Sequence, residues 1–454
     1  MVFSSLTFIY FFFAAAFAAY FVLPGLKAKN AVLLIVSLVF YSWGEPKYVV
    51  LMIITTLIAY LGGLLISGSK GGQKRFVYIC TCVLILLGLV IFKYLDFVLN
   101  AFGKEGPGLS LPIGISFYTF QVLSYVIDLK RGEVELQKNY FKLLLYVSLF
   151  PHLISGPIVR YSTVAGEIDN RKHSINDMAA GFRRFTLGLA KKCILANGVA
   201  KIAEEIYAGE VELYGSLMYW LAAICYALQI YYDFSGYSDM AIGLGRVLGF
   251  HFEENFNQPY LASSVTDFWR RWHISLSSWF RDYVYIPLGG NRVSIGRWML
   301  NILAVWGLTG LWHGASWNFV IWGLYYALLL MIEKFFLGKL LKKAKVINHF
   351  YTLFAVVIGW VIFNFTDFTR MFKVLGIMFK GVPCNVFDVI ASNSQLSLGI
   401  IFVPLAIICL FAKPFVEFLE KKEALGNIIS LVLFVVCTVF ILSTSYNPFI
   451  YFRF

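Results

Sequence analysis

Apolar runs long enough to cross a bilayer recur along this whole chain, and no other feature narrows its fold as far. They lie near 4–23, 31–43, 47–66, 76–99, 111–127, 140–158, 184–206, 214–232, 298–312, 315–332, 347–366, 396–412 and 426–445. A hydrocarbon core about 30 Å thick takes roughly 20 apolar residues to span as a helix. Hydrocarbon offers the backbone no hydrogen-bond partner, so a spanning segment must satisfy its own N–H and C=O groups. The predicted fold class is therefore an all-α polytopic membrane protein. The break at Trp43-Gly44-Glu45-Pro46 divides one long run into two, because proline cannot continue a helix interior. Some runs are too short for a full crossing, which leaves roughly ten to twelve crossings and a few partial ones.

The balance of residues agrees. Only 14% are charged and 59% are hydrophobic, against about 25% charged in soluble chains. The net charge of +13 sits in short clusters: Lys70, Lys74 and Arg75; Arg183, Arg184, Lys191 and Lys192; Lys339, Lys342, Lys343 and Lys345. Basic loops between apolar runs follow the positive-inside bias of membrane proteins, so a lipid bilayer, not nucleic acid, is the expected partner. With the N-terminus outside, Lys27, Lys29, the 70–75 cluster, Lys130 and Arg131 fall on the cytoplasmic side, and the acidic stretch from Glu204 to Glu212 outside. The opening run, Phe3 to Leu23, reads as a retained span, not a cleaved leader. The seven cysteines show no metal-site spacing and read as small buried hydrophobes. No metal is expected. One membrane-embedded domain is predicted, with peripheral helices over 1–105, a catalytic core over 106–335 and C-terminal helices over 336–454.

The segment from Asp233 to Arg297 is unlike the rest, mixing charge of both signs with dense aromatics. Phe268, Trp269, Trp272, Leu276, Trp279 and Phe280 recur at spacings of three and four, which predicts an amphipathic helix in or beside the bilayer. Just upstream, YYDFSGYSDM carries Asp233, Ser235, Tyr237, Ser238 and Asp239, placed either to line a cavity or to cap a helix end.

His313 stands in the nearly uncharged run Leu308–Met331. Ionisable groups inside a membrane are costly and mark pathways or reactions by default, although a histidine can also bridge two helices by hydrogen bonding. Gly310 and Gly314 flank it and leave room for an approaching group, while Trp312 and Trp317 supply flat walls. Burial favours the neutral imidazole, which is able to act as a general base. His273, amid Arg270, Arg271 and Trp272, reads either as an interfacial histidine or as a site residue orienting donor or acceptor. Arginine beside it suits a phosphate-rich donor. His152, before Gly156 and Pro157, reads as structural; His173, His251 and His349 read as solvated. No phosphate-binding glycine loop, serine elbow or His-Glu-x-x-His pattern occurs.

Several long motifs resemble the membrane-bound O-acyltransferases. They are GLWHGASWNFVIWG (Gly310–Gly323), DFWRRWHISLSSWFRDYVYIPLGG (Asp267–Gly290) and YYDFSGYSDMAIG (Tyr231–Gly243). LPIGISFYTFQ (Leu111–Gln121), FPHLISGPIVRY (Phe150–Tyr161) and the closing NPFIYFRF (Asn447–Phe454) are similar to the bacterial branch that acetylates alginate and related glycans. The resemblance implies a ring of transmembrane helices around a central catalytic tunnel. It implies His313 as the catalytic histidine and His273 as the second characteristic one, with Trp312, Trp272, Arg270, Arg271, Asp267, Asp233 and Asn318 as donor- or acceptor-binding candidates. It further implies acetyl-CoA as donor substrate with no permanently bound cofactor, and a place in the bacterial cytoplasmic (inner) membrane. A secreted or membrane-anchored Ser-His-Asp hydrolase-like acetyltransferase would pass the acetyl group to a cell-surface polysaccharide.

Two other readings stay open on the sequence. One is D-alanyl transfer to teichoic acid from a carrier-protein thioester. The other, of a different class, is a transporter with His313 on a proton pathway, against which the lack of an internal repeat counts.

Overall fold

The computed structural model describes residues 2–344, 346–443 and Phe449. Lys345 and the closing Asn447–Phe454 motif, apart from Phe449, lie outside the described residues. Every regular element is helical, with no strand among the described residues. Six helices there are long and apolar enough to cross a bilayer: Leu26–Gly44, Val49–Gly68, Gly71–Ala101, Trp317–Leu341, Ile347–Asn364 and Glu423–Ser443. The bent pair Val386–Ser392 and Ser394–Cys409 makes a seventh if counted as one span. The chain is a multi-pass helical membrane protein. Other apolar runs form shorter helices: the run near 140–158 is helical only over Tyr140–Ser148, because the chain turns through Pro151 and Gly156-Pro157.

The residues form two compact units, Met1–Thr186 with Tyr237–Glu254, and Leu187–Gly236 with Asn255–Phe454. The first unit contains α1 (Leu26–Gly44), α2 (Val49–Gly68), α3 (Gly71–Leu89), α4 (Ile115–Arg131), α5 (Tyr140–Ser148), α6 (Tyr161–Asn170) and most of α7 (Ile175–Ala190). The break at Glu45-Pro46 falls between α1 and α2, as proline requires. A Cβ at Gly62 would collide with the Thr81 side chain, so α2 and α3 approach closely there. Nearly all of α4 is buried, and its Gln121 amide meets His152 Nδ1 at 2.7 Å. Arg184 on α7 donates to Asp239 at 2.8 Å and to Glu254 at 2.6 Å. At the start of α7, the Ser174 hydroxyl and the Arg246 guanidinium hold the Asp177 carboxyl below its ordinary range.

The second unit contains α8 (Asn197–Ala208), the first two-thirds of α9 (Ser216–Val247), α10 (Val265–Arg271), α11 (Ile274–Phe280), α12 (Ile295–His313), α13 (Trp317–Ile332) and α14 (Ile347–Asn364). Its core is aromatic. Trp269 meets Trp306 and Tyr326 at 4.8 Å between ring centroids, and Trp272 meets Trp360 at 4.8 Å. Such pairs add about 0.5–1.5 kcal/mol each beyond their area.

The structure departs from two expectations. The YYDFSGYSDM cluster neither caps nor ends a helix, because α9 runs straight through it. Its Asp233 forms a buried ion pair with Lys192. The basic residues 183–192 are likewise not a loop: Arg184 lies in α7, and Lys191 opens the following turn of helix, which also holds Lys192. A buried charge without a counter-charge is strongly destabilising, so Lys192 is matched by a carboxylate roughly forty residues downstream that sequence proximity does not disclose.

Candidate active site

The apolar positions predicted as one amphipathic helix are all buried, Phe268, Trp269, Trp272, Leu276, Trp279 and Phe280 included. The helix is not continuous. It is broken between α10 and α11, where His273 takes φ +43°, one of two non-glycine residues among those described in the left-handed region. Such a conformation costs about 1–3 kcal/mol and persists only where the surroundings over-determine it. Asn255 and Asn257 supply that determination. The Ile274 N–H donates to the Asn255 carbonyl at 3.0 Å, and the Asn257 N–H to the Arg271 carbonyl at 2.9 Å, one on each side of the break.

The start of α10 is equally fixed. The N-cap Ser264 accepts from the Asp267 N–H at 3.0 Å, and the Asp267 carboxylate accepts from the N–H of the preceding Ser263 at 3.1 Å. The buried Glu333 carboxylate takes the N–H groups of Val265 and Thr266 at 2.6 and 2.9 Å and the Thr266 hydroxyl at 2.6 Å. A carboxylate at a helix N-terminus satisfies donors that the helix cannot. After α11, the left-handed Gly289 and Gly290 turn the chain. Asn301 on α12 holds that turn through the Leu288 and Gly290 carbonyls at 3.1 and 3.2 Å.

His313 is the last residue of α12, and the chain runs through Gly314-Ala315-Ser316 into α13. The imidazole is buried, with Trp322 and Phe363 edge-on at 5.1 and 5.3 Å. His273 and His313 line one cavity of about 460 Å³, together with Trp272, Arg270, Trp306 and Thr309. Trp312 stands beside both histidines, its ring 5.7 Å from His273 and 5.0 Å from His313. A second cavity of about 820 Å³ shares Arg270, Thr266 and Tyr285 in its wall and adds Asp267, Arg271 and Lys334. Lys334 lies 3.5 Å over the Trp298 ring. Apolar walls with a few convergent polar groups are what small-molecule sites of this size are made of.

The structure thus brings His273, His313, Trp272, Trp312, Arg270, Arg271 and Asp267 to the two cavities or their edges. Two other candidates lie elsewhere. Asp233 is occupied by Lys192. Asn318 is wholly buried and donates to the Phe363 carbonyl at 3.0 Å, tying α13 to α14. The glycines beside His313 also act differently than expected. A Cβ at Gly310 would strike the Phe319 carbonyl, and one at Gly314 the Phe319 ring, so α13 fills the space they leave. Trp317 is half exposed and is not in the wall of the cavity that His313 lines. His173, His251 and His349 are engaged by Tyr20, Glu167 and the Ala262 carbonyl at 2.7, 2.7 and 2.9 Å. Asn255 and Glu333 were not singled out from the sequence. Glu333 carried a signal nonetheless, being an acid at the end of a long apolar run.

Residues 115–374 match the sequence model of MBOAT, the membrane-bound O-acyltransferase family. The chain belongs to that family. It is 41% identical over 396 residues to a protein of Pseudomonas aeruginosa named probable alginate O-acetylase AlgI, covering 84% of this chain and 75% of that one. It is 32% identical to the peptidoglycan O-acetyltransferase of Helicobacter pylori, over 83% of this chain and 79% of the relative. It is 30% identical to the teichoic acid D-alanyltransferase of Bacillus subtilis, over 67% and 82%. The protein is an acyltransferase, and the paired histidines lie inside the stretch that matches the family.

Proposed function

We propose that this membrane-bound O-acyltransferase moves an acetyl group from cytoplasmic acetyl-CoA across the bacterial inner membrane for O-acetylation of a cell-surface polysaccharide. The observation that carries the reading is a cavity lined by both His273 and His313, beside an exposed arginine. A thioester is already activated, so no covalent enzyme intermediate is required. His313 takes the proton of an acceptor hydroxyl as that oxygen attacks the thioester carbonyl. The C–O bond forms and the C–S bond breaks, and the proton returns from His313 to the departing thiolate. Base catalysis of this kind is worth about 10²–10⁴-fold, and positioning of the two substrates supplies much of the remainder.

Arg270 and Lys334 in the adjoining cavity suit the phosphates of the donor. Acetyl transfer is favoured over D-alanyl transfer by the higher identity to the alginate relative and the larger share of this chain that it matches. The final acceptance step is assigned to an extracytoplasmic Ser-His-Asp hydrolase-like acetyltransferase, a separate protein that passes the group to the polysaccharide.

The test compares cells carrying the wild type with cells carrying His313→Ala at matched membrane levels. Base-labile esters are released from the surface glycan and identified by mass spectrometry. Loss of acetate in the variant is the expected result. Loss of D-alanine instead would transfer the assignment to teichoic acid, and no change in any ester would overturn acyl transfer through His313.

A further inference from the structure

We infer that Asn255 is a positioning residue that fixes the tautomer of His273, leaving the Nε2 lone pair of that ring to accept a hydrogen bond from an N–H or O–H of a substrate. The inference deepens the acyl-transfer reading and rests on it for the identity of the substrates.

The side-chain amide of Asn255 is wholly buried, and its orientation follows from one contact. The atom facing the Ser275 backbone N–H, at 3.1 Å, must be the oxygen, because a backbone amide only donates. The Ser275 hydroxyl donates to the same oxygen at 2.9 Å. His273 Nδ1 lies 3.2 Å from it. An amide oxygen cannot donate, so the proton of that contact sits on Nδ1; the Ser275 hydroxyl, 3.4 Å from Nδ1, gives its own proton to the nearer Asn255 oxygen. Burial keeps the ring below the ordinary histidine range, and a neutral imidazole protonated at Nδ1 carries its lone pair at Nε2.

Nε2 is buried and meets no hydrogen-bonding group among the described residues, although the ring lines the 460 Å³ cavity. The edges of Phe234 and Trp312 pack on the ring at 4.7 and 5.7 Å and hold its plane. The clamp of Asn255 and Asn257 on the left-handed backbone fixes its position. A buried polar atom left without a partner is costly, and here a substrate donor removes the deficit. The sign of the contact has a chemical consequence. A lone pair recognises an amide N–H of the thioester arm or a hydroxyl of the acceptor, and it repels an oxyanion. His273 is therefore a substrate-orienting acceptor, with oxyanion stabilisation left to other groups.

The test is a ¹⁵N spectrum of histidine-labelled protein in lipid nanodiscs, with the His273 signal assigned by its loss in His273→Gln. The expected wild-type spectrum shows protonated Nδ1 and bare Nε2. Asn255→Leu is expected to lose that pattern, whereas Asn255→Asp, which keeps an acceptor oxygen, is expected to hold Nδ1 protonated. Thiol release from acetyl-CoA, with an alginate oligosaccharide and the hydrolase-like partner together as probe acceptor, supplies the kinetic arm. Asn255→Leu is expected to change it at least about ten-fold. A raised KM for acetyl-CoA assigns the donated hydrogen to the thioester arm, and a lowered kcat assigns it to the acceptor hydroxyl. A proton on Nε2 in the wild type would overturn the proposal. So would Asn255→Leu protein that is folded and within about two-fold of wild type in both constants. The spectrum reads the tautomer whether or not transfer is observed, so failure here is distinguishable from failure of the acyl-transfer reading.

Discussion

Arg271 donates from Nε to Asp267 at 2.9 Å, an i,i+4 pair within α10, whereas Arg270 is exposed in the walls of both cavities. Two adjacent arginines thus differ: one braces α10 through its ion pair and the other lines both cavities. A charge-assisted contact to phosphate is worth about 1.5–3 kcal/mol, less where water screens it. Arg270→Ala is therefore expected to raise the KM for acetyl-CoA about ten-fold while kcat changes little, and Arg270→Lys to recover part of the loss. Equal constants for Arg270→Ala and wild type would remove Arg270 from the donor site. These residues were legible in the sequence because arginine and histidine are conspicuous among tryptophans. Asn255 was not, since an asparagine reads as an ordinary turn residue until its oxygen is seen to collect three donors.

At the scale of elements, α12 and α13 set where His313 sits. A Cβ at Gly323 would strike the Trp306 carbonyl, and one at Gly310 the Phe319 carbonyl, so each helix needs a small residue facing the other's backbone. Replacing Gly323 by leucine is expected to push the helices apart at a cost of about 1–3 kcal/mol. The measurement is the melting temperature in detergent, expected to fall together with transfer activity; an unchanged melting temperature would contradict this packing. The apolar runs 298–312 and 315–332 already separated the two helices, but the turn through Gly314-Ala315-Ser316 was not legible, because Gly314 read only as open space beside His313. Nor did the sequence disclose the break at Trp272-His273. The apolar period runs smoothly across that point, and the cause lies in backbone hydrogen bonds from Asn255 and Asn257, more than a dozen residues upstream. The fate of YYDFSGYSDM was hidden for the same reason, since its Asp233 answers Lys192 from another turn of chain.

For the whole molecule, the low charge content and the repeated apolar runs were enough to give the helical membrane class, because no soluble fold tolerates so little polar surface. The number of crossings was less legible. Hydropathy does not register where π-turns, prolines and short breaks divide a run, as in Thr7–Val22 or Tyr140–Ser148. The proposed reaction carries an acyl group from a thioester to a hydroxyl through His313. The most direct test uses purified protein in sealed vesicles, with radiolabelled acetyl-CoA on one side only and an alginate oligosaccharide with the hydrolase-like partner on the other. Ester-linked label is expected on the far side with the wild type and at least about a hundred-fold less with folded His313→Ala, roughly the contribution of a lost general base. Equal transfer by the two proteins would contradict transfer through His313.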